Sequence, residues 1–109
     1  MSYNRIMIEI YQSQEFADWL ADLADKRDRA RIAARIDRMS DGNSGDAKSV
    51  GDGVSELRLH HGSGFRVYFT RRGNAIVILL CGGDKSSQSK DIVRAKALAQ
   101  TIEDHQPWH

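Results

Sequence analysis

The sequence predicts an α+β fold: a small antiparallel-rich sheet in the order β-α-α-β-β-β-α, with its helices packed on one face. Two early stretches repeat apolar residues at helical spacing. Three later stretches, separated by glycine-bearing turns, alternate or run apolar as strands do. The chain of 109 residues, 40% hydrophobic and 28% charged, is long enough for one core and little more. A single domain over residues 1–109 is the expectation.

Arg5 to Tyr11 alternates and is rich in isoleucine, as a strand is. Ser13 is placed to cap a helix in which Phe16, Trp19, Leu20 and Leu23 fall on one stripe. Lys26 to Met39 forms a second helix. Ile32, Ile36 and Met39 make its seam, alanines allow close packing, and arginines fill the other faces as a solvated surface. Asp41 to Gly53 holds four glycines and only one sizeable apolar residue, Val50, which predicts a loop. Val54 to Phe69 reads as two strands joined by a Gly/Ser turn. Arg71-Arg72-Gly73-Asn74 turns into Ala75 to Cys81, a run apolar on both sides and so a strand buried on both faces. Gly82-Gly83 ends it. Ser86 to Ser89 opens a last helix, with Ile92, Ala95, Ala99 and Ile102 at helical spacing, and the tail His105 to His109 is expected to fray.

No apolar run approaches the roughly 18–20 residues of a membrane helix. The N-terminus lacks the apolar stretch of a secretory signal. The lone Cys81 suits a reducing compartment. These point to a cytoplasmic protein without membrane contact. The net charge of +1 conceals a gradient: residues 1–25 hold one basic and five acidic groups, whereas residues 48–90 hold seven basic and three acidic. That distribution favours an anionic partner weakly.

The hairpin carries the strongest chemical signal. Side chains alternate across a strand, so Leu57, Leu59, Phe65, Val67 and Phe69 form a core face. The opposite face gathers Glu56, Arg58, His60, Arg66 and Tyr68. A solvated face with cross-strand ion pairs, each worth under about 1 kcal/mol, is the competing reading. Lysine and threonine would serve that purpose as well, while two arginines on adjacent strands suit a phosphate clamp. Alternation puts His60, not His61, on this face if the strand runs that far, and an imidazole there suits proton transfer. Gly82-Gly83-Asp84-Lys85 lacks the glycine spacing of a Walker phosphate loop, yet places a lysine beside a helix N-terminus, where anions are favoured. Four histidines and one cysteine at these spacings make no credible zinc site.

The run SELRLHHGSGFRVYFTRRGNAIVILLCGGDKSSQSKDI resembles the phage-derived Gp49-like, or addiction-module killer protein, branch of the RelE/HigB toxin superfamily. The resemblance rests on Glu56, Arg58, His60, Gly62, Gly64, Arg66 and Tyr68 in the hairpin. Cys81 to Lys85, Gln88, Asp91 and Ile92 carry it beyond the last strand. It implies a RelE-like fold and the toxin of a type II toxin–antitoxin module. Such a toxin is a metal-independent endoribonuclease without cofactor that cuts messenger RNA, commonly on the ribosome. Its implied partner is a cognate helix-turn-helix antitoxin, with operator DNA met only through that antitoxin. Arg66 matches the arginine set on the scissile phosphate in RelE-like enzymes. The expected catalytic set is Arg66, Arg58, Lys85, His60 and Glu56, with Glu56 either a base or an orienter of Arg58. Lys48, Tyr68 and Lys90 are expected to bind RNA. The sequence departs from RelE in lacking a C-terminal tyrosine, the last being Tyr68. It departs from HigB unless His105 or His109 folds back. The rival class is a non-catalytic module that binds nucleic acid or protein through the same basic face.

Overall fold

The computed structural model describes residues 7–105, built around a five-stranded sheet in the order β1-β5-β4-β3-β2. Strand β1 (Glu9–Gln12) leads into α1 (Gln14–Asp22) and α2 (Lys26–Ser40). Strands β2 (Ala47–Gly51), β3 (Val54–Arg58), β4 (Arg66–Arg72) and β5 (Ile76–Gly83) follow. A short 3-10 turn, Lys85–Ser87, then opens α3 (Gln88–His105). Strands β2 to β5 pair antiparallel, while β1 lies parallel to β5. Arg5 and Ile6, expected in β1, and the tail from Gln106 lie outside the described residues.

The α1 start is the one the sequence predicts. The Ser13 side chain accepts from the Phe16 amide and donates to the Leu80 carbonyl at 2.6 Å, tying the helix start to the central strand. The α1 and α2 stripes meet the hairpin's apolar face in one core: Phe16, Ile32 and Met39 pack with Leu57, Leu59, Phe65, Val67, Phe69, Val77 and Leu79. Strand β5 is buried on both faces as its composition requires. Val77 and Leu79 enter this core, and Ile78 and Leu80 enter the other.

Two features differ from the sequence expectation. The segment read as loop contains β2, an edge strand with few apolar residues. It is recruited by a two-residue hairpin turn at Asp52-Gly53, both with positive φ (55° and 76°). Asp-Gly is a favoured pair for such a turn. The second difference concerns the helices. Helices α1 and α2 share one sheet face, whereas α3 lies on the other. There Ala95, Ala99 and Ile102 pack on Val54, Tyr68, Ile78 and Leu80. The sheet is therefore covered on both faces rather than on one.

The paired glycines ending β5 are seats for packing. A Cβ at Gly82 would collide with the Trp19 ring, and one at Gly83 would collide with the Asp91 carboxylate. Trp19 in turn meets Phe65 edge-on at 6.1 Å, fixing the base of the β3–β4 loop.

Candidate active site

Antiparallel register sets Glu56 opposite Tyr68 and Arg58 opposite Arg66. Opposed residues share a face, so all four side chains collect on the α3 side of the sheet. Glu56 is fully buried. Its carboxylate accepts from Arg58 Nε at 2.9 Å, Tyr68 Oη at 3.0 Å and Gln88 Nε2 at 2.8 Å, with Arg66 Nη1 at 3.6 Å. Burial alone would raise the Glu56 pKa. The donors Arg58, Gln88 and Tyr68, with the Arg66 charge, outweigh it and hold the carboxyl below its ordinary value. Burial and the same carboxylate push the Tyr68 phenol upward. Glu56 is thus a fixed anion that organises its neighbours, and Tyr68 a neutral donor to it.

Beside this network the strands stop. Strand β3 ends at Arg58, and the loop to β4 closes through Leu59 N–H to Phe65 O at 2.9 Å and Gly64 N–H to His61 O at 3.0 Å. Gly62 and Gly64 adopt positive φ (55° and 70°), which glycine tolerates without strain. The Lys85 stem lies alongside Gly64, at ordinary contact distance from where a Cβ would sit (3.6 Å), so it is the backbone angle and not space that calls for glycine. The result is a cleft of about 250 Å³ lined by Leu59, His60, Gly62, Ser63, Gly64, Arg66 and Lys85.

Arg66 links the network to the cleft. Its side chain is only 11% exposed, and its buried Nε has no hydrogen-bond acceptor among the described residues. Arg58 is the more open partner, at 26%. His60 lies beyond the strand, 71% exposed, with Nε2 against Asp46 Oδ2. The Asp46 carboxyl is held below its usual range, chiefly by that hydrogen bond.

The structure therefore brings Arg66, Lys85 and His60 to one cleft. Arg58 and Glu56 stand behind it. Tyr68, expected at the RNA surface, is fully buried and committed to Glu56, so it offers no ring for a base to stack on. Lys48 and Lys90 are exposed on β2 and α3, and neither lines the cleft. The His60 position also differs from simple alternation, because the strand ends two residues before it. His109 lies outside the described residues. Cys81 is buried beneath α3, and burial, Asp91 and Glu15 push its thiol up to about 12, which leaves it inert.

Sequence reasoning assigned no site role to three groups. Gln88 reaches the buried carboxylate from the first turn of α3. Asp46, inside the glycine-rich segment, carries no motif that would mark it. Arg35 donates to the Arg58 carbonyl at 2.9 Å and the Ser44 carbonyl at 3.1 Å, pinning the end of β3 to the segment before β2 beside the cleft. Its approach depends on Gly45, where a Cβ would fall 2.7 Å from the guanidinium. Among the described residues no cluster of His, Cys, Asp and Glu could hold a metal ion, and no helix is long and apolar enough to cross a membrane.

Three comparisons bear on this geometry. The model of the family described as phage-derived protein Gp49-like matches residues 18–103. An uncharacterized protein of Haemophilus influenzae is 52% identical over 95 residues, covering 87% of this chain and 96% of that protein. Among solved structures, the E. coli toxin RelE, as a double-alanine mutant in the free state, superposes with a TM-score of 0.66 at 13% identity. That match covers 82% of this chain and 94% of RelE.

Proposed function

The chain belongs to the phage-derived Gp49-like family and has a RelE-like fold, and on that premise we propose that it is a toxin of a type II toxin–antitoxin module. In this reading it is an endoribonuclease of the cytoplasm that cuts messenger RNA, on the ribosome, and so arrests translation. A cognate helix-turn-helix antitoxin silences it.

One observation carries the reading furthest. Arg66 is nine-tenths buried, held by Glu56 on one side, and lines a cleft with Lys85 and His60 while its Nε–H lacks an acceptor among the described residues. An unmet buried donor costs about 1–3 kcal/mol. A phosphate in the cleft meets the edge of the guanidinium that lines it, where a buried, incompletely paired cation is suited to hold an anion.

The chemistry follows from the groups present. The ribose 2′-oxygen attacks phosphorus and the bond to the 5′-oxygen breaks, leaving a cyclic phosphate. His60, the cleft's imidazole, takes the 2′-OH proton. Arg66, with Arg58 behind it, stabilises the charge of the five-coordinate phosphorus, where preorganised cations contribute most. The Lys85 ammonium gives a proton to the leaving 5′-oxygen. Glu56 holds both arginines in place and takes no proton. Lys48 and Lys90 serve flanking phosphates.

Expression with and without the neighbouring gene tests this. The chain alone should arrest growth and leave new RNA ends that map to coding sequence, and co-expression of the partner should abolish both. Arrest-free expression of folded protein, with no new RNA ends, would contradict it and favour a non-catalytic binding module.

A further inference from the structure

A second basic cleft, of about 360 Å³, opens between α2 and the segment before β2, lined by Arg31, Arg35, Arg38, Asp46, His60 and His61. It shares Leu59 and His60 with the Arg66 cleft, so the two are neighbours across one loop. We propose that this cleft is a second phosphate subsite, holding the RNA chain next to the nucleotide being cut. The proposal rests on the RNA-cutting reading above and extends it.

Three observations support a built subsite over a merely solvated helix face. The cleft sets three guanidiniums against one carboxylate, and that carboxylate, Asp46, is engaged with His60. Its central cation is not free to wander: Arg35 is fixed by the Arg58 and Ser44 carbonyls and seated over Gly45. Arg35 is partly buried beside Arg38, and both desolvation and that neighbouring charge disfavour its charged form. A crowd of cations held together with too few anions is relieved by an incoming phosphate. Arg35 also ties the two clefts mechanically, because its acceptor is the backbone of Arg58, which stands behind the first.

Arg31 and Arg38 are exposed, so Arg31→Gln/Arg38→Gln should fold normally. The test measures binding of single-stranded RNA blocked at its 2′-hydroxyls, as a dinucleotide and as a longer oligonucleotide, across a salt series. The double variant should bind the longer RNA about tenfold more weakly at low salt. Its log–log salt slope should be shallower by about 0.7 for each phosphate the variant no longer neutralises. Dinucleotide binding should not change. Arg27→Gln, which removes a charge from an exposed pair on the same helix, should match wild type. Equal binding of the longer RNA by wild type and double variant overturns the subsite. So does a wild type that binds the longer RNA no better than the dinucleotide. In either case growth arrest by the wild-type chain still decides the toxin reading separately. Intact RNA binding with lost silencing by the antitoxin would assign the cleft to the protein partner and overturn it as an RNA site.

Discussion

The Glu56 network and the cleft beside it are built from the same few residue types, a carboxylate, arginine and a proton-bearing ring, yet they are opposites physically. Around Glu56 the ring is Tyr68, the carboxylate is fully buried, and each of its neighbours is committed. Across the two clefts that share His60, the ring is that imidazole, the carboxylate is the exposed Asp46 of the second cleft, and cations outnumber carboxylates. In the proposed reading the closed region fixes geometry and the open one meets substrate. Arg66 belongs to both, and so couples the rigid region to the reacting one.

This division can be broken at either end. The largest effect should come from Glu56→Ala. Removing one member of a buried ionic network strands the others, at a cost of about 3–5 kcal/mol, and urea unfolding should show it. A variant as stable as wild type would mean that the carboxylate does not organise the network. His60→Asn should do the reverse. Stability should move by less than about 0.5 kcal/mol at so exposed a position. RNA cutting should fall by roughly a hundredfold or more if the imidazole moves a proton. Tyr68→Phe should cost about 1–2 kcal/mol of stability, for one lost donor to a charged group, and should leave growth arrest in place. Loss of arrest in a folded Tyr68→Phe protein would return the phenol to the reacting set.

The smallest effect concerns pH. Glu56 is held below its ordinary value in the folded chain. Its contribution is therefore complete above the usual glutamate range, near about 4.3. It is lost as pH falls through the depressed folded value. Wild-type stability should decline over that acid window, and Glu56→Gln should flatten the decline. Identical acid profiles would show that another carboxylate controls it.

Much of this was legible in the sequence, and the gaps have physical causes. Periodicity located α1, α2, α3 and the buried strand, because each presents an apolar stripe or a run that only a core explains. The Ser13 cap followed from its side chain's ability to satisfy a free amide. Alternation placed Glu56, Arg58, Arg66 and Tyr68 on one face, and the register agrees. What a single strand pattern lacks is the identity of the element lying over that face. The stripe on α3 is visible, but its docking against Tyr68 is a tertiary fact. Hence Tyr68 reads as a surface residue and Glu56 as a possible base. Strand β2 escaped because it has few apolar residues and depends on its neighbour for pairing. The Asp52-Gly53 turn was its one local signal. Asp46 and Arg35 reach the clefts only through interactions across long sequence separations.

The most direct measurement is Arg66→Ala, assayed for growth arrest and for RNA ends, with folding checked by its unfolding transition. Glu56 keeps Arg58, Tyr68 and Gln88 as donors, so the variant should fold. It should neither arrest growth nor leave new RNA ends. A folded Arg66→Ala protein that remains fully toxic would contradict the assignment of the active site to this cleft.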